Sequence, residues 1–451
     1  MLDDQSLHVL FEAQKKLDEG FAALPPGAPQ APGMNRLAEV LGAAALRLQD
    51  NYPYFHPLYA GQMLKPPHPV ARLAYALAQS INPNNHALDG GRASSAMEKE
   101  AVRELAEMFG WTAPLGHLVS GGTMANLEAL WVAGQVSPGK TVVASEQAHY
   151  THRRISAVLQ LKFEEIACDD RARLDLASLE RRLSAGDVGT VVATMGTTAT
   201  GSVDPLAGIL ELRRRYGFRV HCDAAYGGYF ALAGNLAPET QRNLDAIERA
   251  DSLVIDPHKH GLQPYGCGCV LFRDPSVGHF YKHDSPYTYF SSKDLHLGEI
   301  SLECSRPGAA AVALWATQKL LPLAKGGEFA KGLENCREAA LDLYRRVAGD
   351  RRFVAAFPPE LDILVFAPRA SSVSHASHLS RRVFDAAARR NLHLAVAELP
   401  LALFSPGLGS DEKDRASLTC LRSVLMKPEH RDWVERIWEI LTEAAKEALA
   451  A

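Results

Sequence analysis

The 451-residue chain reads as an α/β protein: a large, mostly parallel seven-stranded sheet, then a smaller α+β unit. Two observations predict this. Between Leu115 and Phe272, seven short β-rich runs (116–119, 141–145, 162–167, 189–195, 218–222, 252–255 and 267–272) alternate with helical periods, as parallel sheets require. After Lys319 the alternation stops, and helices near 327–348 and 430–449 bracket strands near 361–367 and 418–425. The last two runs of the first set are too close together for a helical crossover, so one of them is expected to run antiparallel. These boundaries imply an N-terminal arm with helices over 1–69, a large domain over 70–325 and a small C-terminal domain over 326–451.

Ahead of the sheet, residues 1–35 contain one amphipathic pattern and then the Pro/Gly-rich stretch 24–33, a surface arm or linker. Helices are expected over 36–50 and 70–80, separated by the Pro- and aromatic-rich segment 52–69. Ser95-Ala-Met-Glu98 has the form of a capping box and is expected to open a helix running to Phe109.

Composition narrows the function. Hydrophobic content of 47%, charged content of 22% and a net charge of −4 with both signs dispersed describe a globular protein without a nucleic-acid-binding block. No apolar run approaches the roughly 20 residues of a membrane-spanning helix. The polar start Met-Leu-Asp-Asp-Gln is unlike a signal peptide, and seven scattered cysteines suit a reducing compartment; the expected location is the cytoplasm. Cys267-Gly-Cys269 is too tightly spaced for a zinc pair and has no second pair, so no metal is expected.

The chemistry gathers where strands end. Ser252-Leu-Val-Ile-Asp-Pro-His-Lys259 is an apolar strand stopping at a lysine between two histidines, and Phe218-Arg-Val-His-Cys-Asp223 stops at an aspartate followed by small residues. In open α/β sheets, ligands sit at the carboxyl ends of strands. A lysine and a carboxylate there meet the needs of pyridoxal 5'-phosphate: the amine forms a Schiff base, and the acid keeps the pyridine nitrogen protonated. Ala225 is small enough to lie against a flat ring, and His149 is placed to stack on its other face or touch a substrate carboxylate. Ser120-Gly-Gly-Thr123 joins a strand to a helix, where Gly122 and Thr123 offer donors to a phosphate, with His258 as a further contributor. Thr197 and Thr198 are candidates for the ring 3′-oxygen, Thr198 preferred.

Taken together, Asp256-Pro-His-Lys259, His221-Cys-Asp-Ala-Ala-Tyr-Gly-Gly228, Gln147-Ala-His149 and Ser120-Gly-Gly-Thr123 resemble the pyridoxal-phosphate-dependent group II amino acid decarboxylases, from about Tyr54 to the C-terminus. Leu421-Arg422-Ser-Val-Leu-Met-Lys-Pro428 resembles the C-terminal strand signature of that family. The resemblance implies the fold type I, aspartate aminotransferase-like architecture, and a homodimer with shared active sites acting on a small amino acid. It further implies a loop tyrosine that returns a proton after CO2 leaves; Tyr287 and Tyr289 are the candidates, Tyr287 preferred. By the same resemblance, Tyr52–Tyr59 and 82–92 line the substrate side-chain pocket. Their aromatics suit an aromatic amino acid such as tyrosine, while Gln62, His86 and Arg92 suit an acidic one, which ranks second. One departure stands out: His260 replaces the aromatic residue that usually follows the lysine. With Ser305-Arg306-Pro-Gly308 it is also similar to sphingosine-phosphate lyase, making a carbon–carbon lyase the alternative and Arg306 a candidate for substrate carboxylate or phosphate, or for the cofactor phosphate of the other subunit.

Overall fold

A computed structural model of the protein describes residues 3–25, 33–87, 89–282, 300–404 and 414–450. Seven strands build the main sheet: β1 (Leu115–Val119), β2 (Thr141–Ser145), β3 (Lys162–Ile166), β4 (Val188–Thr194), β5 (Arg219–Asp223), β6 (Ser252–Ile255) and β7 (Gly268–Phe272). Their order is β1-β7-β6-β5-β4-β2-β3. The pairs β2–β3, β2–β4, β4–β5 and β5–β6 are parallel, while β7 runs antiparallel to both β6 and β1. The twelve residues between β6 and β7 leave no room for a crossover helix, which is why the direction reverses there.

Strands β2, β4, β6 and β7 are buried at every position, as a sheet covered on both faces demands. β3, at the edge, is the exception: Lys162, Glu164 and Glu165 are exposed, charges that discourage pairing with another edge.

A second sheet, all antiparallel, has the order β10-β11-β9-β8, with β8 at Phe353–Ala355, β9 at Ile363–Pro368, β10 at Ala395–Pro400 and β11 at Ser417–Val424. Helices Glu328–Gly349, Val373–Ala388 and His430–Ala450 cover it around a core that includes Leu343, Phe366, Val383, Leu421 and Ile437. The helix at 373–388 and strands β8 and β10 lie beyond the sequence expectation. β8 is only three residues long, and β10 has exposed and intermediate positions that blur an apolar run.

One expectation fails. The helix presumed to start at Ser95 starts at Arg92, with Gly91 as its N-cap. Ser95 and Glu98 are therefore inside it, and Glu98 is buried, accepting hydrogen bonds from Asn85 Nδ2 at 2.6 Å and Leu118 N at 2.9 Å. Distant partners outcompeted a local cap. The seven cysteines are all unpaired. Among the described residues, no helix is long and apolar enough to cross a membrane.

Candidate active site

The carboxyl ends of β1, β2, β4, β5 and β6 open into one cavity of about 320 Å3. Lys259, Asp223, Ala225, His149, Gly122, Thr123, Thr198 and His258 all line it, so the candidates drawn from separate strand ends converge.

Lys259 follows β6 by four residues, and its Nζ lies 3.0 Å from Asp256 Oδ2. Asp256 is buried, and its Oδ1 has no hydrogen-bond partner among the described residues. Such an acid holds the amine in place while keeping one lone-pair site open. His258 Nδ1 donates to Cys267 O at 2.9 Å, and its ring packs 4.8 Å from Tyr265. Burial, ahead of the opposing charge of Asp256, lowers the pKa of His258 below its usual value.

At the end of β5, Asp223 is 5% exposed. Its Oδ2 accepts from His152 Nε2 at 2.8 Å and Asn126 Nδ2 at 3.3 Å, and its Oδ1 accepts from Ala225 N at 3.2 Å. Burial alone would raise this carboxyl, but the His152 hydrogen bond and the nearby charges of His152 and Lys259 prevail and hold it well below the carboxylate range. The network continues behind it. His221 Nε2 meets Asn126 Oδ1 at 2.8 Å, and His221 Nδ1 meets Ser252 Oγ at 2.9 Å. Burial pushes His221 down to about 3, so the ring is neutral. Since Asn126 gives its amide to Asp223, His221 donates from Nε2 and accepts the Ser252 hydroxyl at Nδ1. His152 and Asn126 were not singled out in the sequence. Asn126 could have been found, four residues past Gly122 on the same helix, whereas His152 gave no signal beyond lying one helical turn after His149.

The cradle at the end of β1 depends on glycine. A Cβ on Gly122 would lie 2.6 Å from Asp256 Oδ2, so only glycine lets the helix Gly122–Val136 start against that acid. The helix has no side-chain N-cap, leaving backbone donors for an anion. His149 Nδ1 sits 2.8 Å from Thr151 Oγ1, and burial, ahead of the attraction of Asp223, lowers its pKa. Thr198 lines the cavity, whereas Thr197 turns inward to Thr200 Oγ1 at 2.7 Å.

An amine, a buried carboxylate held ionised, a methyl surface and uncapped helix donors fit pyridoxal 5'-phosphate, with Thr194 Oγ1 and Asp256 Oδ1 unpartnered among the described residues. Among the described residues no cluster of three or more metal-ligand side chains occurs.

The substrate candidates lie elsewhere. Arg306 is away from this cavity, in a buried ion pair with Glu98 at 2.5 Å, and also donates to Leu118 O at 2.7 Å and Asn85 O at 3.1 Å. Gln62 Oε1 accepts from Arg422 Nη1 at 3.1 Å, and Arg422 further donates to Thr198 O at 2.7 Å, fixing the 198 turn. His86 N donates to Asn84 Oδ1 at 3.1 Å, and its Nδ1 is buried without a partner. Tyr52, Tyr54 and Tyr59 pack on one another, and Tyr52 and Tyr59 pack on His393. Tyr287 and Tyr289 lie outside the described residues. His260, the residue behind the lyase alternative, is also absent from this lining; it is buried 3.2 Å from Asp362.

Comparison with known proteins agrees with this chemistry. The family model for the pyridoxal-dependent decarboxylase conserved domain matches residues 133–369. A probable L-tyrosine/L-aspartate decarboxylase of Methanothermobacter thermautotrophicus is 30% identical over 322 residues, covering 68% of this chain and 82% of that protein. An L-aspartate decarboxylase of Thermococcus kodakarensis is 30% identical over 291 residues, covering 63% of this chain and 73% of its own. The crystal structure of Oryza sativa TDC with PLP and tryptamine shares the fold, with a TM-score of 0.77 at 19% identity over 99% of both chains.

Proposed function

The chain belongs to the pyridoxal-dependent decarboxylase family, and from that premise we propose that its substrate is an aromatic L-amino acid, tyrosine first. It is a pyridoxal-phosphate-dependent carboxy-lyase acting on an amino acid. When bound, the cofactor supplies an electron-poor ring that takes up the electron pair of the breaking Cα–carboxylate bond. The residues of the chain do the rest. Lys259 would hold the cofactor through its amine, with Asp256 3.0 Å away steadying it. Asp223 holds a proton on the ring nitrogen. Ala225 and His149 would hold the ring between them. Gly122, Thr123 and His258 take the phosphate, and Thr198 the ring oxygen. Tyr287, with Tyr289 second, returns the proton to the α-carbon.

The observation that carries the substrate reading is the lining itself. Among the described residues no arginine faces the cavity, and Arg306 and Arg422 are both committed to contacts within the fold. A side-chain carboxylate would enter without a guanidinium to pair it. An acidic substrate is the second reading, favoured by the aspartate named in both decarboxylase relatives. The test is a panel of L-amino acids with the cofactor-loaded enzyme, scored for CO2 and amine. Tyrosine is expected to give the highest kcat/KM; aspartate or glutamate exceeding every aromatic substrate would overturn the reading.

We further infer that the enzyme is a homodimer in the cytoplasm. Helix Met34–Leu48 buries no residue and exposes Met34, Leu37, Val40, Leu41, Leu46 and Leu48, an apolar stripe suited to a second copy. Unpaired cysteines support a reducing compartment. Sedimentation equilibrium of the enzyme should give twice the chain mass, and a monomer would refute the dimer.

A further inference from the structure

A second cavity, larger than the first at about 470 Å3, shares no lining residue with it. It lies between residues 65–72, the turn at 427–429 and the first turns of helix Glu328–Gly349. Four cationic side chains line it, Lys65, Arg72, Lys331 and Lys427, against two carboxylates, Glu328 and Glu429. None of the six takes part in an ion pair among the described residues.

The cations are under-satisfied as well as unpaired. Lys427 is 3% exposed; its Nζ donates to Tyr59 O at 2.6 Å and sits 5.3 Å over the Tyr59 ring. Lys65 Nζ donates to Met426 O at 3.3 Å. Each ammonium carries three donors, and among the described residues each meets a single hydrogen-bond acceptor. Arg72 Nε is buried without a partner among the described residues. His260 is 1% exposed; among the described residues its Nδ1 has no partner, and its Nε2, although 3.2 Å from Asp362 Oδ2, is out of line for a hydrogen bond. Burial, and next the charge of Lys65, pushes Lys427 down to about 7, as befits an amine lacking a counter-ion. Lys427 is buried, Lys65 and Arg72 are half-buried and Lys331 is exposed; gathering such cations around one cavity without a counter-ion is unfavourable unless something negative joins them.

We propose that this cavity is a binding site for a small oxyanion, a carboxylate or phosphate group on a small molecule, separate from the catalytic pocket. Its volume falls in the range of small-molecule sites. The two cavities adjoin: Tyr226 lines the catalytic one, and its ring lies 4.8 Å from that of His260, which lines the other.

The test is calorimetric titration of the cofactor-loaded enzyme, whose own phosphate cradle is then filled, with inorganic phosphate and separately with succinate. At least one probe should bind saturably to the wild type and about tenfold or more weakly to Lys65→Met, the loss expected for one charge-assisted contact. The probe that binds tighter identifies the group. Should Lys65→Met fail to fold, the Lys331→Gln variant, at an exposed position, decides, again with weaker binding expected. No saturable binding of either probe, or equal binding to wild type and folded variants, would overturn the proposal.

Discussion

Replacing His152 tests how the site keeps Asp223 ionised. The imidazole supplies the shortest of three hydrogen bonds to this buried carboxylate, 2.8 Å against 3.3 Å from Asn126 and 3.2 Å from Ala225 N. In His152→Leu the burial that opposes ionisation remains while the strongest opposing contact is gone. A hydrogen bond to a charged group contributes about 1.5–3 kcal/mol, which moves the carboxyl up by about one to two pKa units. If the whole of that is felt where charge flows into the cofactor ring, kcat falls by about 10- to 100-fold. His152→Gln, which keeps a donor, should recover most of it. Two measurements separate this from general damage: kcat on the preferred amino acid, and the pH midpoint of the bound cofactor's visible absorbance, which should shift in His152→Leu and far less in His152→Gln. A His152→Leu enzyme with wild-type kcat and an unmoved midpoint would refute the reasoning.

Further outcomes follow from the same geometry. Gly122→Ala drives a Cβ to within 2.6 Å of Asp256 Oδ2, so cofactor affinity should drop about tenfold or more, measured by equilibrium dialysis, with the fold retained. Arg306→Met leaves Glu98 buried without its cation and should cost about 3–5 kcal/mol in urea unfolding, whatever the substrate. Lys427 has a folded pKa near 7, below its unfolded value of about 10.4. Between these values the unfolded chain binds a proton that the folded chain lacks, so stability rises with pH across the window. Melting temperatures of wild type and Lys427→Met, compared from about pH 7 to about pH 10, should show the rise in the wild type and its loss in the variant.

Which parts of this were legible in the sequence follows from how local each signal is. An apolar run of four to seven residues ending in Asp223 or Lys259 marks a strand and its ligand end together, and the spacing between β6 and β7 already forces the antiparallel return. The helix Val373–Ala388 and the short β8 carried no comparable signal. Ser95-Ala-Met-Glu98 looked like a cap only because Arg306, more than 200 residues away, could not be placed against Glu98 from sequence.

By itself, then, the sequence determined the α/β alternation, the strand ends and the residues that converge on one cavity, because side-chain period and turn chemistry act within a few residues. The docking of separate elements set the rest: His152 and Asn126 hold Asp223, Arg306 neutralises Glu98 instead of facing the catalytic cavity, and Lys65 and Lys427 share a second one. Those pairings depend on how separate elements dock, and the free energy of a buried charge is set by whichever partner the docking brings within about 3 Å.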